Sequence, residues 1–132
     1  MQTTTLTGIT GKTYTFEICL ANGQWRHVAG IYAFVTPEGI PKYIGQTNSF
    51  ASRKPGPSHD KWAESQRYGA TVILAMHLPG SEAVRRTAEK DMIEFYNPPA
   101  NEQLRTSTSG LTGSTGLFGL GLQGRGKGLL GG

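Results

Sequence analysis

From Thr13 to Leu20 the apolar residues fall on every second position, Tyr14, Phe16, Ile18 and Leu20, which is the period of a half-buried strand. A threonine-rich run precedes them, with Gly11-Lys12 between, so residues 3–20 predict a β-hairpin. Ala21-Asn22-Gly23 marks the next turn. Val28 to Thr36, Lys42 to Gly45 and Ala70 to Leu78 read as further strands, the first two joined through Pro37-Glu38-Gly39. Cap and stop residues predict the helices. Asn48 or Ser49 opens a short one containing Arg53 and stopped by Pro55-Gly56-Pro57; Ser58 caps a second over His59 to Tyr68, closed at Gly69. Ser81 caps a third that runs to about Tyr96, where Asn97-Pro98-Pro99 ends it. The fold class this order predicts is α/β (α+β): a small antiparallel or mixed sheet flanked by helices, with an N-terminal β-hairpin extension.

The third helix carries one irregular position. At about 100° per residue, Val84, Phe95, Ala88, Met92, Tyr96 and Ile93 share an arc expected to face the sheet, while Thr87, Lys90, Asp91 and Glu94 lie on the opposite, solvent side. Glu89 falls inside the apolar arc. A carboxylate there needs a partner, because burial favours its neutral form. Two partners satisfy it: a divalent metal ion, or Arg85 four residues earlier on the same arc.

Composition narrows the classes. A chain of 132 residues suits one compact domain plus extensions, with enough core to fold without disulfides. Cys19 stands alone, no zinc-type spacing exists, and Met1 to Thr5 lacks the features of a signal peptide, so a reducing, cytoplasmic compartment is expected. No apolar run approaches the ~20 residues that a membrane helix needs. The net charge of +4 suits a polyanionic partner but also describes many ordinary soluble proteins. From Ser107 to Gly132 the chain holds ten of its nineteen glycines and reads as a flexible tail or linker. The expected division is 1–27, a β extension; 28–104, the main domain; and 105–132, the tail.

The chemistry-bearing words lie in the middle. Gly30-Ile31-Tyr32 and Tyr43-Ile44-Gly45 flank ten residues on the two arms of the predicted hairpin, which brings the tyrosines onto one patch. Arg53 follows Gly45 by eight residues, and Glu89 leads a run that ends Asn97-Pro98-Pro99-Ala100-Asn101. In this order and spacing, from about Val28 to Gln103, the chain resembles the GIY-YIG nuclease superfamily.

The resemblance implies a metal-dependent endonuclease that hydrolyses DNA phosphodiester bonds without a covalent intermediate, with Mg²⁺ or Mn²⁺ as cofactor. It implies Glu89 as the metal ligand, an oxygen donor of the kind hard cations take. Arg53 would stabilise charge on the phosphate with its planar fork. Tyr32 would help deprotonate the attacking water and Tyr43 would orient water or phosphate; their plainer reading is strand tyrosines packed on a core with hydroxyls at the rim. His59 stands where many members place a histidine, but Pro55-Gly56-Pro57 disturbs the order, leaving three places for it: a proton relay, a support for Tyr32, or a solvated surface. Lys42 and Lys54 are candidates for the phosphate backbone, with Lys61 and Arg67 adding to the electrostatic approach. Asn101 is assigned to the substrate side of the site, tying sheet to helix near the active face. Trp62 is a core anchor or a base-stacking platform.

No separate DNA-reading module is visible, so sequence selectivity is expected to be low. Two other readings fit the same residues: an inactive nucleic-acid-binding module of this fold, and an effector or mobile-element nuclease joined by its tail to a carrier protein.

Overall fold

The structure, a computed structural model, describes residues 2–20 and 23–101. The glycine-rich segment lies outside the described residues. Met1–Ala100 make one compact unit. Its strands are β1 (Thr3–Thr7), β2 (Thr13–Cys19), β3 (Gly30–Val35), β4 (Pro41–Thr47) and β5 (Val72–His77), and its helices α1 (Phe50–Arg53), α2 (Trp62–Arg67) and α3 (Glu82–Tyr96). The strands form one sheet in the order β1-β2-β5-β3-β4. Every pairing is antiparallel, so the fold is α+β as expected from the sequence. The N-terminal hairpin joins the sheet through β5, with Glu17 opposite Ala75 and Cys19 opposite Ile73.

Strand alternation divides the core into two layers. Tyr32 and Phe34 point to one face, opposite Gly45, Tyr43, Ala75 and Ile73 on the neighbouring strands, and pack with Phe50 of α1 and Trp62 of α2. Ile31, Ala33, Ile44 and Leu74 point to the other face, which α3 covers with buried Ala88, Met92 and Ile93. Burying side chains of this size contributes about 1.5–3 kcal/mol each, which is what holds the layers together. Trp62 is thereby a core residue, its ring meeting Phe34 edge-on at 5.0 Å. Strand β4 is the sheet edge, and between the Phe34–Tyr43 and Val35–Pro41 pairs its register slips by one residue at Lys42, a bulge of the kind that bends an edge strand.

Two expectations about the helices are corrected. Helix α2 begins at Trp62, not His59, and Ser58 does not cap it. Gly56 at φ 144 and a turn closed by His59 N–H to Gly56 O swing His59 inward. Its ring Nδ1 then accepts the Lys61 N–H at 2.9 Å, and no side chain caps the helix. On α3, Val84 and Phe95 are half exposed, whereas Asp91, expected in solvent, is buried. The cause is the turn between β1 and β2, which folds over the helix. Asp91 accepts hydrogen bonds from the Tyr14 hydroxyl at 2.7 Å and from Thr10 N–H and Oγ1, and its backbone carbonyl accepts Ile9 N–H. Burial and the Asp91 hydrogen bond push Tyr14 up to about 12. A Cβ at Gly8 would lie 1.9 Å from the Asp91 carboxylate, so a larger residue there must push that carboxylate away from its present position.

Candidate active site

Tyr32 sits mid-strand in β3 and is 1 % exposed. Its phenol lies across the backbone of Gly45, where a Cβ would come within 2.6 Å of the hydroxyl and 3.0 Å of the Tyr43 ring. The glycine of the second tripeptide therefore makes room for the tyrosine of the first. Gly30 is constrained by a different neighbour: a Cβ would lie 2.0 Å from the Met76 carbonyl oxygen, across the β3–β5 pair. Gly45→Ala is expected to displace the Tyr32 phenol, lowering stability by about 1–3 kcal/mol. A thermal melt beside a cleavage assay checks it, with activity falling more than the folded fraction explains.

Arg53 ends α1, which is capped by Ser49 through its Oγ to Ser52 N–H and closed by Lys54 in the left-handed region at φ 50. From there Arg53 Nε donates to the Tyr32 hydroxyl at 3.4 Å and one terminal nitrogen to Asp60 at 2.7 Å. Burial works against the Arg53 charge, but those two hydrogen bonds outweigh it and hold the guanidinium above its ordinary range. The Arg53 hydrogen bond in turn lowers Asp60.

His59 is buried, with its Nε2 2.7 Å from the Tyr32 hydroxyl. Since Nδ1 already accepts the Lys61 N–H, the proton belongs on Nε2, which donates to Tyr32. The Asp60 carboxylate 3.2 Å from Nδ1 is therefore no ion pair at neutral pH. Burial, with help from Arg53 and Lys61, depresses His59 to about 4. Its folded value lies below the unfolded one, so its contribution to stability is complete above about pH 6.5 and is lost as pH falls toward 4, at most about 3 kcal/mol. Compared with His59→Gln by denaturant titration, the wild type is expected to lose stability faster between pH 6.5 and 4 and at the same rate above.

The Tyr32 oxygen thus receives two N–H donors, and its own proton goes to Tyr43, with which it is hydrogen-bonded. Burial raises both phenols; the Tyr32 hydrogen bond lowers Tyr43. Tyr43 is the half-buried member of the pair. The negative charge of Glu89, from α3, also reaches Tyr43 and helps raise it.

Glu89 is half-buried, and burial pushes it up to about 7, partly offset by Arg86. Among the described residues no hydrogen bond or ion pair holds it. The Arg85 alternative fails: Arg85 donates to Gln46 Oε1 at 3.1 Å and to the Gly80 carbonyl at 2.9 Å. Arg86 is engaged with Glu82. A half-buried carboxylate without a partner fits a hard cation that takes its remaining oxygens from water and substrate. Among the described residues no group of three or more His, Cys, Asp or Glu forms a fuller cage.

The structure thus brings Tyr32, Tyr43, Arg53 and His59 together and sets Glu89 within electrostatic reach of Tyr43. Lys42 occupies the edge-strand bulge, half-buried, with its carbonyl accepting Ala100 N–H, while Lys54 is exposed. Asn101 is buried. Sequence reading missed Asp60, whose link to Arg53 crosses the Pro55-Gly56-Pro57 interruption. It also missed Trp25, whose ring stacks on Phe50 at 5.6 Å.

No protein-family model matches the chain, and no curated protein matches it. Among solved structures, the chain is similar to the GIY-YIG N-terminal endonuclease domain of UvrC from Thermotoga maritima bound to magnesium, its catalytic divalent cation. The two are 22% identical over 58% of this chain and 86% of that one, with a TM-score of 0.48. A point mutant of the same domain, also bound to its catalytic divalent cation, is 21% identical with the same coverage and TM-score.

Proposed function

We propose that the chain is a divalent-metal-dependent endonuclease of the GIY-YIG type that hydrolyses DNA phosphodiester bonds with low sequence selectivity. The observation that carries this reading is the Tyr32 hydroxyl, which collects His59 Nε2–H and Arg53 Nε–H and donates its own hydrogen bond to Tyr43, within electrostatic reach of an acid that no described residue holds. A structural tyrosine needs one hydrogen bond, not a buried imidazole, a guanidinium and a second phenol.

In this reading the two phenols act as a unit on the water proton. Tyr43, having released its own proton to solvent, takes it at its phenolate oxygen and becomes a neutral phenol; before that step the Tyr32 O–H, backed by His59 and Arg53, steadies the phenolate charge. His59 stays neutral and orients Tyr32. The terminal nitrogens of Arg53, held in place by Asp60, face the phosphate and offset charge that builds there. Mg²⁺ or Mn²⁺ on Glu89 would supply charge stabilisation for the leaving oxygen. Lys42 and Lys54 take the substrate side, engaging the phosphate backbone.

The test is incubation of supercoiled plasmid and, in parallel, of a single-stranded circular DNA with the purified chain. Nicked or linear products that require Mg²⁺ and vanish with chelator support the reading; binding with no product at any Mg²⁺ or Mn²⁺ concentration overturns it.

A further inference from the structure

Next to the cluster lies a cleft of about 520 Å³, lined on one side by Gln24, Trp25 and His27 and on the other by Lys54, Pro55 and Pro57. We infer that this cleft takes one unpaired nucleotide beside the phosphate being cut, so that the substrate is single-stranded or branched DNA rather than intact duplex. The inference rests on the nuclease reading above and names its substrate class.

Three observations support it. The first is shape and place: the volume is within the ~300–1,000 Å³ of small-ligand sites, and the wall begins at Lys54, the residue after Arg53. The second is the aromatic wall. Trp25 stacks on buried Phe50, and its segment is docked onto α1 by Phe50 N–H to Val28 O at 2.9 Å and Ala51 N–H to Arg26 O at 3.0 Å. The indole is thus held in place before any ligand arrives. The third is charge: Lys54 lines the cleft and no carboxylate among the described residues does.

A fixed aromatic ring beside a lysine is the pairing that binds single strands, the base on the ring and the phosphate on the cation. A base inside a duplex has both faces covered by its neighbours and must leave the stack to meet such a ring. Trp62 cannot serve, since it is locked in the core against Phe34.

The test uses the full chain in chelator, so that no cutting intervenes, with a labelled oligothymidine and a duplex of equal length. The single strand is expected to bind at least ~5-fold tighter and to quench tryptophan fluorescence in wild type and in Trp62→Phe, but not in Trp25→Phe. Trp25→Ala is expected to weaken single-strand binding about 5- to 100-fold, and Lys54→Ala to flatten its salt dependence. Trp25→Phe keeps a ring on Phe50 and guards against a folding defect. Equal affinity for strand and duplex, or quenching that survives Trp25→Phe, overturns the inference. Plasmid cutting without strand preference sinks this inference alone. Strand binding with Trp25 quenching but no cutting in Mg²⁺ sinks the nuclease reading and keeps the cleft as a nucleotide site.

Discussion

Arg53→Ala is expected to slow DNA cleavage about 10²–10³-fold while changing DNA affinity little. The side chain is 40 % exposed and already anchored at two points, Tyr32 and Asp60, so its remaining N–H groups are aimed without further ordering when a phosphate arrives. Charge develops on the phosphate oxygens in the transition state, and a fixed guanidinium counts for more there than in the ground state. Affinity, spread over several lysines and the strand contacts, depends less on one residue. Arg53→Lys is expected to remain at least ~10-fold below wild type, because an ammonium cannot hold the Tyr32 and Asp60 contacts and present further donors together. Single-turnover nicking beside a binding titration separates rate from affinity. An alanine variant that cuts at the wild-type rate removes Arg53 from the reaction.

Glu89→Gln is expected to have opposite effects on two measurements. Cleavage should fall by about 10³-fold or more, since an amide is a poor ligand for Mg²⁺ and the charge stabilisation a metal supplies amounts to several kcal/mol. Stability measured in chelator should rise. The folded carboxyl is raised to about 7 by burial, above its ordinary value, so the charged form is disfavoured in the native state. That cost is absent below about pH 4.5, grows as pH rises through 7, and is full beyond it. The gain from Gln should follow the same course, reaching about 1–2 kcal/mol at pH 8 once solvent screening of the half-buried group is allowed for. Denaturant melts of both proteins at pH 5 and pH 8 measure it. A variant less stable at pH 8 would mean that Glu89 has a partner in the native protein and is no vacant ligand.

Much of the sheet was legible because local signals and tertiary packing agree there. Tyr14 and Phe16 alternate and are buried, Pro37-Glu38-Gly39 joins β3 to β4, and Ser81 and Asn97 bound α3 as their cap chemistry dictates. What failed depended on contacts between distant parts of the chain. Asp91 looked like a solvent residue because the helical wheel supposes one covering layer. A second layer, the β1–β2 turn some eighty residues away, buries it. Val84 and Phe95 failed in reverse: the wheel placed them in the core, and both are half exposed. The Arg85–Glu89 pairing was correctly spaced, yet Gln46 and the Gly80 carbonyl compete for the guanidinium, and neither is visible from the helix. His59 was placed in the right neighbourhood and given the wrong local structure, because Gly56 sets the turn ahead of Ser58.

The β1–β2 turn grips α3 at Asp91, two residues past Glu89, and Thr7 N–H reaches the Tyr96 hydroxyl at the helix's far end. The rod that carries the acid to one border of the sheet is therefore clamped from the opposite border. A load on the amino-terminal arm, whether from a fused neighbour or from loss of the Tyr14 hydroxyl, acts as a lever on the acid's aim without touching the cluster around Tyr32.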